Sequence, residues 1–479
     1  MQLARKIVFY CFVLIYLALC PVIILYSFGY IFQPAEKEIS HTGLIYLTTI
    51  PPEANVYLGK SRFKNKTPAS ITELKPGNYQ VTVRLRGYRP WTHVVTIEAG
   101  KAAAFKNILL LPRNFAETSV VSGKSCVRLI PLKVPEGFIV QKGAQLKEFY
   151  IYDRREEMLD PLVGKAAGNK EFTVNSLFTG DKSRAVIFYG GSLWNKKYFL
   201  LDPAEKSFAL KEVTNLFPEY PEQLIWSGEG LKDVFAVYEG YINRLNLREG
   251  AIFPKYFENI KGFGVAGKSV YVLDKDNVIF RVSADKKQKT VLFEDAPLGK
   301  DLFLKSRFYE IKKLNQDMLL FRGHKGDLIA SIPPYRIADE GILGFKYDEQ
   351  TQKLLFWSKN TIWTADFNPK EDEDTPFHDR IRRREIMSKG TALTQCFWVY
   401  NATHVLFKDK NDVYLLELAP DGVIHKEYLV SVKDKTAVLY SERDGDLYYL
   451  NQQGNLAKIK ILPKEKLTID TIIEEERKP

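Results

Sequence analysis

Apolar positions along this chain form one unbroken run, then a short-period alternation, then a longer repeat. The run is Ile7 to Phe32, IVFYCFVLIYLALCPVIILYSFGYIF, and it carries no charged residue. As a helix it would span roughly 39 Å, enough to cross a ~30 Å hydrocarbon core with tilt. Tyr10, Tyr26 and Tyr30 fall toward its ends, where amphipathic rings suit a membrane interface. Pro21 removes one backbone donor and can kink the helix. The run exceeds the apolar region of a signal peptide, and no A-x-A-like site follows it. Leu19 and Pro21, flanking Cys20, do not suit a lipoprotein signal. The expectation is an uncleaved transmembrane helix over 7–32. Arg5 and Lys6 in the 1–6 segment would stay cytoplasmic, and the bulk of the chain would lie outside.

A linker over 33–42 leads into alternation. Leu44 to Leu47, Val56 to Leu58, Tyr79 to Leu85, Val94 to Ile97 and Phe105 to Leu111 read as strands separated by Pro/Gly turns. Five or so strands in about 70 residues predict a small β-sandwich over 43–112. The ordered set Gly43-Leu44-Ile45-Tyr46, Pro51-Pro52-Glu53-Ala54-Asn55-Val56-Tyr57-Leu58, Thr67-Pro68, Leu74-Lys75-Pro76-Gly77-Asn78-Tyr79 and Gly87-Tyr88 with Trp91 resembles the PEGA domain. That family is a small β-sandwich of prokaryotic surface and membrane proteins. The sequence departs from it at Glu53, where the motif has Gly, which tolerates positive φ. The resemblance implies a spacer or binding module at the cell envelope, and no chemistry. Tyr88 and Trp91 read as core or rim aromatics, and as candidate binding residues if they form a ligand platform.

Residues 113–463 show no long helical period. An apolar strand, a short polar turn and a second strand recur instead, as in VIFYGGSLWNKKYFLLD and VYVLDKDNVIFRV. Eight copies begin near Ile139, Val186, Phe235, Val270, Leu319, Leu354, Val405 and Leu447, on average about 44 residues apart, which is the length of one four-stranded propeller blade. The hairpin would be the middle pair of each blade. A seven- or eight-bladed β-propeller is expected, with one blade open to completion by a strand from the other end of the domain. A β-sandwich array is the alternative fold. The region resembles the broad β-propeller superfamily, without a regular Trp-Asp dipeptide, and so informs architecture rather than function. The fold class is therefore mainly β. The charged stretch 464–479 reads as a tail.

Composition adds limits. Hydrophobic residues are 45% and charged residues 27%, a globular balance, and Tyr (26) and Phe (30) suit pleated surfaces. Net charge is +11, without a basic stripe or reader motif, so nucleic acid is not an expected partner. Cys126 and Cys396 read as two buried thiols, or as a disulfide in an oxidising compartment. No Cys/His spacing indicates a metal.

Asp274 to Asn277 and Asp409 to Asp412 resemble calcium loops but fall in hairpin turns. Gly262 to Ser269, GFGVAGKS, fits a phosphate-loop pattern, but a hairpin rather than a helix follows it. Glu371 to Asp374 with Arg380, Arg382, Arg383 and Arg384 reads as a charged insertion, solvated or partner-docking. Asn401-Ala402-Thr403 fits a glycosylation acceptor.

No catalytic, cofactor or metal residue is therefore assigned. The expected function is a membrane-anchored, extracytoplasmic binding or scaffold protein of the cell envelope, its propeller facing a polysaccharide or a surface protein. The alternative is a polysaccharide hydrolase or lyase with dispersed carboxylates in the channel. A sensor role is a third reading, which the short segment before the helix disfavours.

Overall fold

The computed structural model describes residues 2–462 other than 28–29, 34–37, 122–125, 132–136, 144–147, 155–156, 162–173, 179–185, 193–194, 203–210, 227–232, 284–287, 294–297, 316–317, 334, 368–381 and 419–423. The segment Glu371 to Arg380 and the 464–479 tail lie outside the described residues. The N-terminal run forms one helix, α1 (Gln2–Ser27), with Pro21 inside it. Its described side chains other than Cys20 are exposed; Phe9, Phe12, Leu14 and Leu17 are each more than 60% exposed. Among the described residues, no helix is long and apolar enough to cross a membrane. The helix also ends earlier than the apolar run. Tyr30–Gln33 instead pairs antiparallel with Glu38–His41, and Tyr30 stacks on His41 at 4.3 Å. The expected helix end and part of the expected linker are thus a β-hairpin. Its apolar Tyr-Ile-Phe segment is indistinguishable from helix by hydropathy alone.

The sandwich contains seven strands where alternation indicates five. One sheet places Gly43–Ile50 between Ala69–Leu74 and Ala102–Leu109, and the last of these is parallel to it. The other sheet runs Ser61–Lys66, Asn55–Leu58, Gly77–Arg84, Trp91–Ile97. Ile45, Leu47, Val56, Val81, Val83, Val95 and Ile97 meet between the sheets. Ser61–Lys66 escapes a hydropathy reading because it is an almost wholly exposed edge strand. Its Arg62, Lys64 and Lys66 keep that edge from pairing with another chain.

Among the described residues, eight four-stranded antiparallel units follow. Blades 1 to 7 occupy 126–161, 174–212, 223–258, 260–292, 309–338, 344–387 and 393–431, each with its strands in sequence order. Blade 8 is composite. Leu439–Ser441, Asp446–Leu450 and Leu456–Lys460 supply three strands, and Thr118–Val121, from the start of the domain, supplies the outermost. The ring is closed by packing between neighbours. Blades 8 and 1 share a core through Leu129, Phe138, Tyr152, Tyr448 and Leu450. Phe149 of blade 1 meets Phe188 of blade 2 at 5.1 Å, and the later blades share cores pairwise around the circle. Every predicted hairpin is the second and third strand of a blade, and the count is eight.

The phosphate-loop match is the inner strand, turn and second strand of blade 4. Its glycines serve packing. Ile260–Ala266 runs parallel to Tyr309–Lys313 of blade 5, so these two inner strands pair directly. A Cβ on Gly264 would lie 1.8 Å from the carbonyl oxygen of Ile311, and one on Gly262 3.0 Å from that of Tyr309. Cys126 and Cys396 are buried in different inter-blade cores, without a disulfide. Arg383, expected in a charged insertion, lies on the outer strand Arg382–Met387 of blade 6. It donates to the Ile337 carbonyl at 2.8 Å and covers Trp363.

The Gly264→Ala substitution is expected to destabilise the propeller by about 3 kcal/mol, because backbone must move to admit the methyl. Gly267→Ala, in open space at φ +57°, should cost only about 1 kcal/mol. Urea unfolding of both variants checks the contrast.

Candidate functional site

Polar side chains gather against shaped space at the seam between sandwich and propeller and in the central channel. The seam begins with alternation. Arg89, Trp91 and His93 are two residues apart along the sandwich edge and so project to one side. They meet the third and fourth strands of blade 7, Asp412–Leu418 and Ile424–Ser431. Trp91 Nε1 donates to both carboxylate oxygens of Glu417, at 2.8 and 3.1 Å. Arg89 donates to Glu427 at 2.6 Å, and His93 Nδ1 lies 3.0 Å from His425 Nε2. That short imidazole contact requires one ring to donate a proton and the other to accept it. Beside these bonds lies a cleft of about 190 Å³.

The chain leaving the sandwich strengthens the seam. Leu110 belongs to the sandwich core, whereas Leu109 and Leu111 belong to the core between blades 7 and 8. Three consecutive leucines thus face two domains alternately. Glu117 then accepts from Tyr449 at 2.7 Å and Asn451 at 3.0 Å, just before the closing strand.

Of the two candidate binding residues, Trp91 is 8% exposed and its indole N–H is engaged by Glu417. Tyr88 is half-buried on the sandwich core, its backbone bridged to Pro112. Trp91 thus stands at the seam. The partners Glu417, His425 and Glu427 gave no signal in sequence, because their neighbours across the seam are more than 300 residues away.

His404, on the second strand of blade 7, pairs across to Glu417 and approaches Thr403 Oγ1 at 2.9 Å. Complete burial pushes its pKa from 6.5 down to about 4.

The channel cavity, of about 320 Å³, is lined by the inner strands of blades 1, 5, 6, 7 and 8, with Arg322 and Trp357 from second strands. Lys312, Arg322 and Lys346 bring positive charge. Among the described lining residues Glu310 is the one carboxylate, and Arg322 donates to it at 2.9 Å. Two facing carboxylates, as glycoside hydrolysis requires, are not assembled in this lining. Cys396 also lines the cavity, and burial raises its thiol pKa.

The turn residues are committed to backbone. The Asp274 carboxylate accepts from the amides of Asp276 and Val278, and Asp409 accepts from those of Thr391 and Ala392. Among the described residues, no cluster of His, Cys, Asp and Glu is arranged to hold a metal.

Residues 42–109 match the PEGA domain family. The matched residues form the seven-stranded sandwich. Glu53, where the family motif has Gly, adopts φ +66°. The turn keeps its left-handed geometry, held by amide–carbonyl bonds from Glu53 to Thr67 and from Thr67 to Ala54, each 2.9 Å. No curated protein matches the chain. Among solved structures, Hsv2 of Kluyveromyces lactis is similar at 10% identity and TM-score 0.40, covering 64% of this chain and 98% of that one. The β-propeller domain of Myceliophteria thermophila Cps50 (Swd1) is similar at 12% identity and TM-score 0.36, covering 72% and 99%. The computationally designed Ika8 protein is similar at 10% identity and TM-score 0.39, covering 70% and 96%.

Two outcomes follow from this geometry. In the unfolded chain, His404 takes up a proton near 6.5; in the fold it does not until about 4. The unfolded state therefore holds more protons between these values, and stability must fall as pH drops through that window, by about 3 kcal/mol. Urea titrations of wild type and His404→Gln at pH 7.5 and 4.5 should show this loss in wild type, reduced by about that amount in the variant. For the seam, a double-mutant cycle of Trp91→Phe and Glu417→Gln should give a coupling of about 2 kcal/mol in unfolding free energy, as for a hydrogen bond to a charged group.

Proposed function

We propose that this protein is a membrane-anchored binding scaffold: α1 holds it to the bilayer, the PEGA domain sets the offset, and the propeller is the binding head. The observation that carries this reading is the seam. A flexible tether needs no Trp91–Glu417 or Arg89–Glu427 bond and no linker built into two cores. Here the sandwich is fixed against blades 7 and 8, so the propeller is presented in one orientation.

The anchor is supported by α1 itself. Its described apolar side chains, Phe9, Phe12, Leu14 and Leu17 among them, stand exposed, as suits contact with lipid rather than water. Arg5 and Lys6 precede the uncharged stretch, which favours a cytoplasmic N-terminus and an extracytoplasmic bulk. With the bulk at the envelope, polysaccharide is the abundant surface for the head to hold.

The test is sedimentation of the detergent-solubilised full chain with purified envelope polysaccharide, before and after protein stripping, across a salt series. Saturable binding that persists after stripping and at ~0.5 M salt, where long-range charge attraction is screened, is the expected result. Binding lost on stripping would redirect the head toward a surface protein. Release of sugar in the same tubes would replace the scaffold by a hydrolase or lyase.

A further inference from the structure

The sandwich carries much of the chain's positive charge. Ten Lys and Arg stand against three Glu in residues 43–112, in a chain whose net charge is +11. Much of this excess gathers on one face. In the four-stranded sheet, register places Lys66, Asn55 and Arg84 in one row, and Arg62, Tyr57 and Thr82 in another. Neighbouring strands are ~4.8 Å apart and alternate residues share a side. Phe63, Val56, Val81 and Val83 turn into the core, so Arg62, Lys64, Lys66 and Arg84 surround Tyr57 on the outward side. Lys60 and Arg86 flank them, and all six basic side chains are exposed.

Edge protection accounts for only part of this charge. The basic residues of Ser61–Lys66 guard an edge strand, but Arg84 belongs to an interior strand of the sheet, where no edge needs guarding. The partners of these groups leave most of the charge in place. Arg62 donates to the neutral amide oxygen of Asn55 at 2.7 Å, and the Arg84 guanidinium lies 5.2 Å from the centre of the Tyr57 ring. Lys60, Lys64 and Arg86 make no hydrogen bond or ion pair with the described residues. Lys66 pairs with Glu53 at 3.4 Å, in a solvent-exposed contact of little strength. Val94, 58% exposed, extends the same face beyond Gln80.

The face is also held close to α1. Residues 28–42 separate the helix from the first sandwich strand, and eight of them form the hairpin of Tyr30–Gln33 with Glu38–His41. The next residue, Thr42, accepts from the Gly100 amide at 3.1 Å, so the hairpin ends on the sandwich itself.

We infer that this face of the sandwich docks on the anionic phospholipid headgroups of the bilayer that holds α1. This rests on the membrane-anchored reading and adds an electrostatic contact to it. A sheet presents its basic side chains on one broad surface, which suits a plane of phosphates. Arg62 and Arg84 offer planar forks to phosphate oxygens, and Lys60 and Lys64 offer point charges. Tyr57 is an amphipathic ring of the kind that favours a membrane interface. The short tether keeps the bilayer at high local concentration around the face, an advantage that a free acidic polymer lacks. Two points of attachment limit how far the sandwich, and the propeller fixed to it, can swing.

Amine acetylation read by mass spectrometry tests the contact residue by residue. The full chain is reconstituted in phosphatidylcholine nanodiscs and in discs with one-third phosphatidylglycerol, at ~0.15 M salt. Lys60 and Lys64 should acetylate at least fivefold more slowly in the anionic discs, and ~0.5 M salt should remove the difference. Lys106, on the other sheet of the sandwich, and Lys268, in a propeller turn, are exposed and should keep their rates. The Arg62→Gln/Arg84→Gln variant should restore at least half of the lost rate at Lys64. If that variant does not fold, the salt series on wild type still decides. Equal Lys60 and Lys64 rates in both discs, slowing that salt leaves in place, or equal slowing at Lys106 and Lys268 would overturn the lipid inference and leave the anchored scaffold standing. Protection by added polygalacturonate but not by phosphatidylglycerol would give the face to an acidic polymer and overturn it likewise. A chain that enters neither disc and stays in solution without detergent removes the anchor and this inference together.

Discussion

A four-stranded blade has two apolar faces and cannot bury either alone. Every blade here depends on both neighbours, and the dependence is satisfied only if the row closes on itself. Closure joins the packing of blades 8 and 1 to one pairing, Thr118–Val121 with Leu456–Lys460, which links positions more than 300 residues apart. The core that unites blades 8 and 1 lies beside that pairing. The rest of the architecture follows from it. The channel exists because eight inner strands are held in a circle, and blade 7 offers a fixed outer face to the sandwich because the circle cannot open.

The seam between the domains is of a different kind. Its centre is polar, with Trp91, Arg89 and His93 each meeting a blade 7 side chain, and its flank is the apolar Leu109-Leu110-Leu111. Hydrogen bonds fix the register, and leucines exclude water from one side of it. Neither part would suffice if the two domains only touched in passing.

How much of this could be read from the chain varies with the physics of each element. The middle hairpins of the blades were legible because both strands are apolar and the turn between them is polar. Inner strands such as Ile260–Ala266, and outer strands such as Arg382–Met387, were not, because their neighbours are other blades or solvent and they keep no steady alternation. Glycine in GFGVAGKS mimicked a phosphate loop, while the actual demand was the approach of the Tyr309–Lys313 strand. The edge strand Ser61–Lys66 was hidden by its exposure. Tyr30 to Phe32 was apolar enough to pass for helix. For the candidate sites, the aromatic cluster Tyr88 and Trp91 stood out locally, but its partners did not. Glu417, His425 and Glu427 are ordinary polar positions of a strand until the fold brings them to the seam. The channel cations were equally silent, since Lys312 and Lys346 meet only through the ring.

The route of the chain between the domains has a mechanical meaning. From Leu111 it reaches the strand that clasps the ring through only six residues, 112–117. Any pull between the sandwich and the propeller is delivered to that clasp, where a yielding pair of strands would unfasten the whole circle. The bonds to blade 7 offer a second path for the load. The contacts of Trp91 and Arg89 therefore act as a strain relief, bearing on a blade whose four strands are contiguous and sparing the one that is assembled from both ends of the domain.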